Sequence, residues 1–86
     1  MGTLETRVIR KKKIDKELNL RVMKNDAAER IFVEFASKDG KLVLQRSFQD
    51  NYLGQQGAKE FESSIKSIQQ LRKYFLNKSR RSNESN

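Results

Sequence analysis

Six basic side chains lie within ten residues near the start of the chain, and Asp15 is the one acidic residue among them. They are Arg7, Arg10, Lys11, Lys12, Lys13 and Lys16. Such a run neutralises phosphate groups without reading a base sequence, and the affinity that it provides falls steeply with added salt. The run therefore predicts contact with an anionic partner, although a nuclear import signal or a solvated arm has the same composition.

A second group of candidate contacts lies on predicted β-strands, on the face that points away from the core. The group consists of Arg21, Arg30, Phe32, Lys41 and Gln45. An aromatic ring among cations on a sheet is suited to stacking on unpaired bases, as in RNA-recognition domains. In the competing interpretation, Phe32 packs with Val43, Met23 and the N-terminal segment as a minor second core, or lies in a dimer interface.

Two glycines, Gly54 and Gly57, precede a predicted helix that has Lys59 in its first turn. The free N–H groups at a helix N-terminus can bind an anion. Glycines between a strand and a helix more often serve as turn residues, and we favour that interpretation. Tyr52, in the same loop, is a further candidate for an exposed contact.

Catalytic groups are poorly represented in this sequence. It has no histidine and no cysteine, which removes the commonest general base and the thiolate nucleophile. The carboxylates are scattered over predicted strand, turn, loop and helix, and spacing pairs none of them for acid–base or metal chemistry. They are Glu34, Asp39, Asp50, Glu60 and Glu62. We predict a protein that is not an enzyme and has no catalytic residue, metal or cofactor.

The strongest signal for a structural element is a β-hairpin formed by residues 30–36 and 41–48. Both segments alternate apolar and polar residues, and Asp39-Gly40 between them is typical of a two-residue type I′ turn. That turn predicts a register with Phe35 opposite Leu44. One face of the sheet, the core face, then carries Ile31, Val33, Phe35, Leu42, Leu44 and Phe48, together with Arg46.

The remaining elements are predicted from the same kind of pattern. Residues 18–24 alternate and predict a strand antiparallel to the first hairpin strand, while residues 1–16 are either a basic arm or a lysine-rich edge strand. Apolar residues at three- and four-residue spacing predict a helix over residues 57–77 that covers the core face. A Ser67–Gln70 capping box allows this helix to kink or restart, and residues 78–86 are predicted to be a disordered polar tail.

These elements predict an α+β fold, namely a three- to four-stranded antiparallel meander with one C-terminal helix packed on one face. Residues 17–77 form the single domain. The order of strand, strand, strand and helix resembles in topology the sheet-and-helix DNA-binding domain of integrases and the small single-strand-binding proteins. The part similar to the integrase domain is residues 41–48 leading into residues 58–61. This resemblance implies that the sheet contacts nucleic acid.

The charge balance agrees with that implication. Nineteen Lys and Arg against eleven Asp and Glu give a net charge of +8, which attracts polyanions. Without a membrane-length apolar run or a signal peptide, we expect a cytoplasmic, nucleoid or nuclear location. We predict a small basic nucleic-acid-binding protein, for DNA or RNA. The alternative is an adaptor or accessory subunit that binds an acidic protein partner, and a homodimer is compatible with both.

Overall fold

Four antiparallel strands and two helices form the part of the chain that the computed structural model describes, residues 6–84, with side chains described as far as residue 78. In chain order the elements are β1 (Arg7–Asp15), β2 (Leu18–Asn25), β3 (Arg30–Ser37), β4 (Val43–Gln49), α1 (Tyr52–Ser64) and α2 (Ile68–Glu84). The strands lie in the order β1-β2-β3-β4, each antiparallel to the next. The predicted α+β class and antiparallel meander are confirmed, and the sheet has four strands.

The basic N-terminal segment is an edge strand over the residues of β1. Its register with β2 shifts twice, between Val8 and Arg10 and between Lys13 and Asp15. Each shift places an extra residue in β1, which changes the face on which the following side chains lie. Ile14, the extra residue of the second shift, packs against the core. Residues 1–5 of the predicted arm lie outside the described residues.

The register predicted for the β3–β4 hairpin is confirmed, with Phe35 opposite Leu44 and Val33 opposite Arg46. Period-two alternation decides this register, because a slip by one residue would turn the apolar side chains away from the core. The core face therefore carries the predicted apolar residues of β3 and β4. On β2 it carries Leu18, Leu20 and Val22, all buried.

The turn of this hairpin differs from the prediction. The backbone N–H of Ser37 donates to the carbonyl of Leu42 at 2.8 Å, so the loop is four residues long. Gly40 has a φ of +77°, but Asp39 has an ordinary negative φ, which a type I′ turn does not permit. The Asp39 carboxylate instead accepts hydrogen bonds from the Ser37 hydroxyl at 2.6 Å and the Lys41 backbone at 3.0 Å. These bonds lower the pKa of Asp39.

The hydrophobic core joins the core face of the sheet to both helices. α1 lies against β3 and β4 and contributes Ala58, Phe61 and, just after its end, Ile65. α2 contributes Ile68 and Leu71, and Leu71 is fully buried. The rings of Phe35 and Phe61 meet edge to face with centroids 5.3 Å apart, an arrangement that adds to the free energy gained by burial.

The prediction of one C-terminal helix is wrong, because the helical segment breaks at residues 65–67. Ile65 is extended, with φ −124° and ψ 120°. The Ser67 hydroxyl accepts from the Gln70 backbone at 3.3 Å, and the Gln70 side chain accepts from the Lys66 backbone. The first bond is the Ser67 half of the predicted capping box, whereas the Gln70 side chain reaches the N–H one residue before Ser67 rather than that of Ser67 itself.

The bounds of the helices also differ from those predicted. α1 begins at Tyr52 rather than near residue 57, because the Asn51 side chain accepts a hydrogen bond from the Gly54 backbone at 2.8 Å and caps the helix there. α2 continues to Glu84, into the segment predicted as a disordered tail, and residues 85–86 are outside the described part. Neither described helix combines the length and apolar character needed to cross a membrane.

Candidate nucleic-acid interface

The face of the sheet opposite the core face, here called the open face, presents a row of charged and polar side chains across all four strands. Strand pairing places Lys11 opposite Arg21, Arg21 opposite Glu34, and Glu34 opposite Gln45. Side chains on directly paired residues lie on the same face about 5 Å apart. Four residues that are distant in the sequence therefore form one continuous line on this face.

A shallow groove of about 460 Å³ lies beside this row, on the β1 half of the open face. Lys11, Lys12, Lys13, Arg21 and Glu34 border it, together with the short side chains of Asn19 and Ala36. Lys13 is paired with Asn19, and Asn19 with Ala36. The groove therefore has lysines along its β1 side, short side chains along its floor, and the Arg21–Glu34 pair at its other border.

Ion pairing distinguishes the cations of this groove. Arg21 donates from Nε to the Glu34 carboxylate at 2.8 Å, and its Nη2 lies 2.6 Å from the same oxygen. Its charge is therefore partly neutralised. Within the described residues, Lys11 and Lys13 have no acidic partner within ion-pair distance, and both are exposed. These two lysines are the exposed cations beside the groove, while Arg30, also exposed and without an ion pair among the described residues, lies at the far end of the open face.

Phe32, the candidate for base stacking, is half-buried in an apolar row on the open face. It lies between Met23 and Ser47 on the open face, and Met23 in turn lies opposite Val8. Met23 is buried and Phe32 is half-buried, whereas Val8 is 43% exposed. This apolar row across three strands is the arrangement expected of a minor second core, the competing interpretation of Phe32.

The other predicted contacts on β1 lie on its core-face side. Arg7 forms an ion pair with Asp26 at 3.0 Å, and Arg10 pairs with Glu62 of α1. Lys12 is opposite the buried Leu20, yet its own side chain is exposed at the sheet edge. β1 therefore directs positive charge to both sides of the sheet edge, and the two arginines are matched by carboxylates.

Three predicted contacts lie away from the groove. Arg30, at the start of β3, is opposite Asn25 and Gln49 at the far end of the open face. Gln45 is exposed on β4, the other edge strand. Lys41 lies in the four-residue loop before β4 and borders a separate cavity with Glu17 and Arg72. Of the predicted set, the structure thus brings Lys11, Lys12, Lys13 and Arg21 together around the groove and leaves these three outside it.

The glycine-containing segment is not a loop in the structure. Gly54 and Gly57 are inside α1, and the Asn51 carboxamide already occupies the Gly54 N–H. Tyr52 is 72% exposed, as predicted for a contact, and its hydroxyl accepts a hydrogen bond from the Gln56 side chain at 2.9 Å. The loop that both the favoured turn interpretation and the anion-site alternative assumed is therefore replaced by a capped helix start.

Asp50, one of the scattered carboxylates, serves as a structural partner. Asp50 lies 3.0 Å from the Lys24 ammonium and also accepts from the Gln55 side chain at 3.1 Å. These contacts, with Lys24 the larger, lower the pKa of Asp50. In the described part of the chain, no group of three or more acidic side chains is placed to hold a metal ion.

Sequence reasoning missed a cluster around Arg46 on the core face. The Arg46 guanidinium carbon lies 5.2 Å from the centroid of the Phe61 ring. Arg46 also lies against the hydroxyl of Tyr74 and lowers the pKa of that phenol, because a cation favours its ionised form. The one available signal was the presence of a cation among the apolar residues of the core face.

Comparisons with protein families, curated proteins and solved structures found no match to this chain. The fourth strand and the second helix also separate its topology from the three-strand, one-helix outline of the integrase DNA-binding domain.

Proposed function

We propose that this protein binds nucleic acid without catalysis, and that the phosphate backbone is the group it recognises. The observation that carries the proposal is the pair Lys11 and Lys13, exposed beside a groove on the open face with no acidic partner among the described residues. Lys12 adds charge at the same sheet edge. Uncompensated lysines at fixed spacing on a strand are suited to phosphates, which lie at regular intervals along a strand of nucleic acid.

The proposal assigns little affinity to base stacking. Phe32 is half-buried next to Met23, so only part of its ring is exposed to an unpaired base. Phosphate contacts position a nucleic acid without reading its sequence. We therefore expect binding that depends strongly on salt and weakly on base sequence.

The test is a fluorescence anisotropy titration with a labelled duplex of about two helical turns and with one of its strands, at several salt concentrations. For the duplex, the double variant Lys11→Ala/Lys13→Ala should reduce the slope of log K against log salt by about two, since each phosphate contact contributes about 0.9. The affinity at low salt should fall with it.

The matched control is Lys59→Ala/Lys66→Ala. Both lysines are exposed on or beside α1, on the helix side of the sheet, and their removal changes the net charge by the same amount. This control should retain most of the affinity and slope. Equal losses in the two double variants would reduce the proposal to non-specific attraction by net charge, and absence of binding at low salt would refute it.

A further inference from the structure

A second groove, of about 630 Å³, lies on the other side of the molecule between β4, α1 and α2. Its floor is apolar and consists of Leu44 and Phe48 of β4 with Phe61 and Ile65 of the α1 segment. Leu44, Phe61 and Ile65 are buried, whereas Phe48 is half-buried. The groove is separate from the candidate nucleic-acid interface, which lies on the open face and toward β1.

The strand that borders this groove is an open sheet edge. β4 is the last strand of the sheet. The hydrogen bond from Ser37 to Leu42 shows which pairs of opposite residues in β3 and β4 are hydrogen-bonded to each other. Because bonded and non-bonded pairs alternate in antiparallel strands, the N–H and C=O groups of Gln45 and Ser47 point away from β3. Among the described residues no strand pairs with them.

The two edge strands, β1 and β4, differ in how strongly they discourage pairing with an additional strand. β1 carries three consecutive lysines and two arginines, which discourage the addition of another strand. β4 has one charged residue, Arg46, between Leu44 and Phe48 on its groove side. Its backbone is therefore available to an incoming strand, and the groove would receive alternate side chains of that strand.

The charges around the groove specify the kind of strand. Arg46 and Lys73 are the cations of the lining and Glu60 is its acid, on a protein with a net charge of +8. Arg46 lies in the middle of β4, between Leu44 and Phe48 on the groove side of the strand. Its guanidinium group lies over the ring of Phe61 in α1. An incoming strand complements this apolar, basic, apolar order if its groove-facing side chains, at alternate positions, are apolar, acidic and apolar.

We propose that β4 takes up an extended acidic segment of a partner protein as a fifth strand. The segment pairs with the free backbone groups of Gln45 and Ser47, and its groove-facing residues are apolar, acidic and apolar, against Leu44, Arg46 and Phe48. In strand addition of this kind, backbone hydrogen bonds supply affinity and the pockets for alternate side chains supply specificity. The inference concerns the edge opposite β1 and does not depend on the nucleic-acid proposal.

The experiment uses the full chain and fluorescein-labelled synthetic peptides. The probe is Thr-Val-Thr-Glu-Thr-Val-Thr, and the control peptide has lysine in place of glutamate. Anisotropy should show saturable binding of the glutamate peptide, with an affinity at least about tenfold above that of the lysine peptide, as expected for one close charge pair. Equal affinities, or no binding of the glutamate peptide, would overturn the proposal.

Two variants with matched controls locate the binding site. Ser47→Pro removes an outward N–H that has no partner within the sheet, and should abolish peptide binding, whereas Ser47→Ala should retain it. Arg46→Glu should weaken binding at least about tenfold, whereas Lys59→Glu, with the same change in net charge outside the groove, should have little effect. If Ser47→Pro does not fold, Arg46→Glu still tests whether the peptide binds at β4.

Two other occupants of this edge would contradict the proposal. A second copy of the chain on β4 would appear as a dimer in light scattering that Ser47→Pro converts to a monomer. A nucleic acid in the groove would appear as a loss of duplex affinity in Arg46→Glu that the Lys59→Glu control does not share. Either result without peptide binding assigns the groove to that other occupant.

Discussion

The carboxylate of Asp15, at the end of β1, accepts a hydrogen bond from the backbone N–H of Ile68, the first residue of α2, at 3.1 Å. The other carboxylate oxygen accepts from the backbone of Lys16 at 2.7 Å. One side chain thus stabilises both the β1–β2 turn and the start of a helix more than fifty residues away in the sequence. A negative charge at a helix N-terminus is favoured by the helix dipole as well as by the hydrogen bond.

This contact predicts a pH-dependent contribution to stability. The bonds from Ile68 and Lys16 lower the pKa of Asp15 below its usual 3.8. A carboxylate with a lowered pKa in the folded state stabilises the fold above the unfolded pKa, and this contribution is lost as the pH falls through the lowered value. Asp15→Ala should therefore reduce the melting temperature by several degrees at pH 7, with a smaller difference from the wild type near pH 2.

Asp15→Asn is the control for that experiment, because its amide oxygen can still accept the helix N–H but does not ionise. It should lie between the wild type and Asp15→Ala at pH 7. Melting temperatures followed by circular dichroism across the pH range provide the measurement. A difference between wild type and Asp15→Ala that is the same at both ends of the range would show that the carboxylate charge has no role.

A second prediction concerns Gly54, in the first turn of α1. A Cβ atom at this position would lie 1.8 Å from the carbonyl oxygen of Gln49 and 2.7 Å from its carbonyl carbon. Both are backbone atoms, so the helix start would have to move. Gly54→Ala should lower the free energy of unfolding by about 2 kcal/mol or more, although alanine has the higher helix propensity.

Gly57→Ala, three residues along the same helix, is the matched control. There the nearest atoms belong to the Phe48 ring, at 3.2 Å and 3.3 Å, and a ring can shift slightly. The gain of about 1 kcal/mol in helix propensity should offset most of that crowding. Urea denaturation of both variants measures the difference, and comparable stabilities would mean that close backbone approach does not explain the glycine at position 54.

Glu29 occupies a conformation that favours glycine. It follows β2 in the loop before β3 and has a φ of +52°, the single positive φ of a non-glycine residue in the described part of the chain. The left-handed region costs an L-residue about 1–2 kcal/mol, and glycine removes this cost but adds freedom to the unfolded chain. Glu29→Gly should therefore stabilise the protein by a few tenths to about 1 kcal/mol.

The adjacent Ala28 provides the comparison, since its φ is negative and glycine there adds flexibility alone. Ala28→Gly should destabilise the protein by about 0.5–1 kcal/mol. Thermal unfolding of the two variants tests the prediction by its sign, and destabilisation by both substitutions would rule out strain at residue 29 as the relevant effect.

The attachment of α2 is tested by two leucines on that helix. Leu71 is fully buried against the core, whereas Leu76 is 60% exposed. Leu71→Ala should destabilise the protein by about 2–5 kcal/mol because it leaves a cavity. Leu76→Ala has the same effect on helix propensity but should change stability by less than about 0.5 kcal/mol. Chemical denaturation provides both values, and equal costs would contradict docking of α2 through Leu71.

Much of the sheet could be predicted because its signal is local. Alternation along residues 30–36 and 41–48 identifies the core face and leaves one register that buries the apolar set, and the observed pairs agree with it. The helix break was harder to predict. The Ser67–Gln70 pair is visible in the sequence, but the second bond at this helix start, from Ile68 to Asp15, forms only because the fold brings Asp15 there.

By itself, the sequence determined the basic charge, the lack of histidine and cysteine, and the alternation that produces an antiparallel sheet with one apolar face. The tertiary structure decided which of the cations remain available. Arg10 is matched by Glu62, 52 residues away, and Arg21 by Glu34 across a strand pair, whereas Lys11 and Lys13 have no acidic partner among the described residues. The physical reason is that pairing between charges depends on distance in space, and residues distant in the sequence come within a few ångströms only when strands and helices pack.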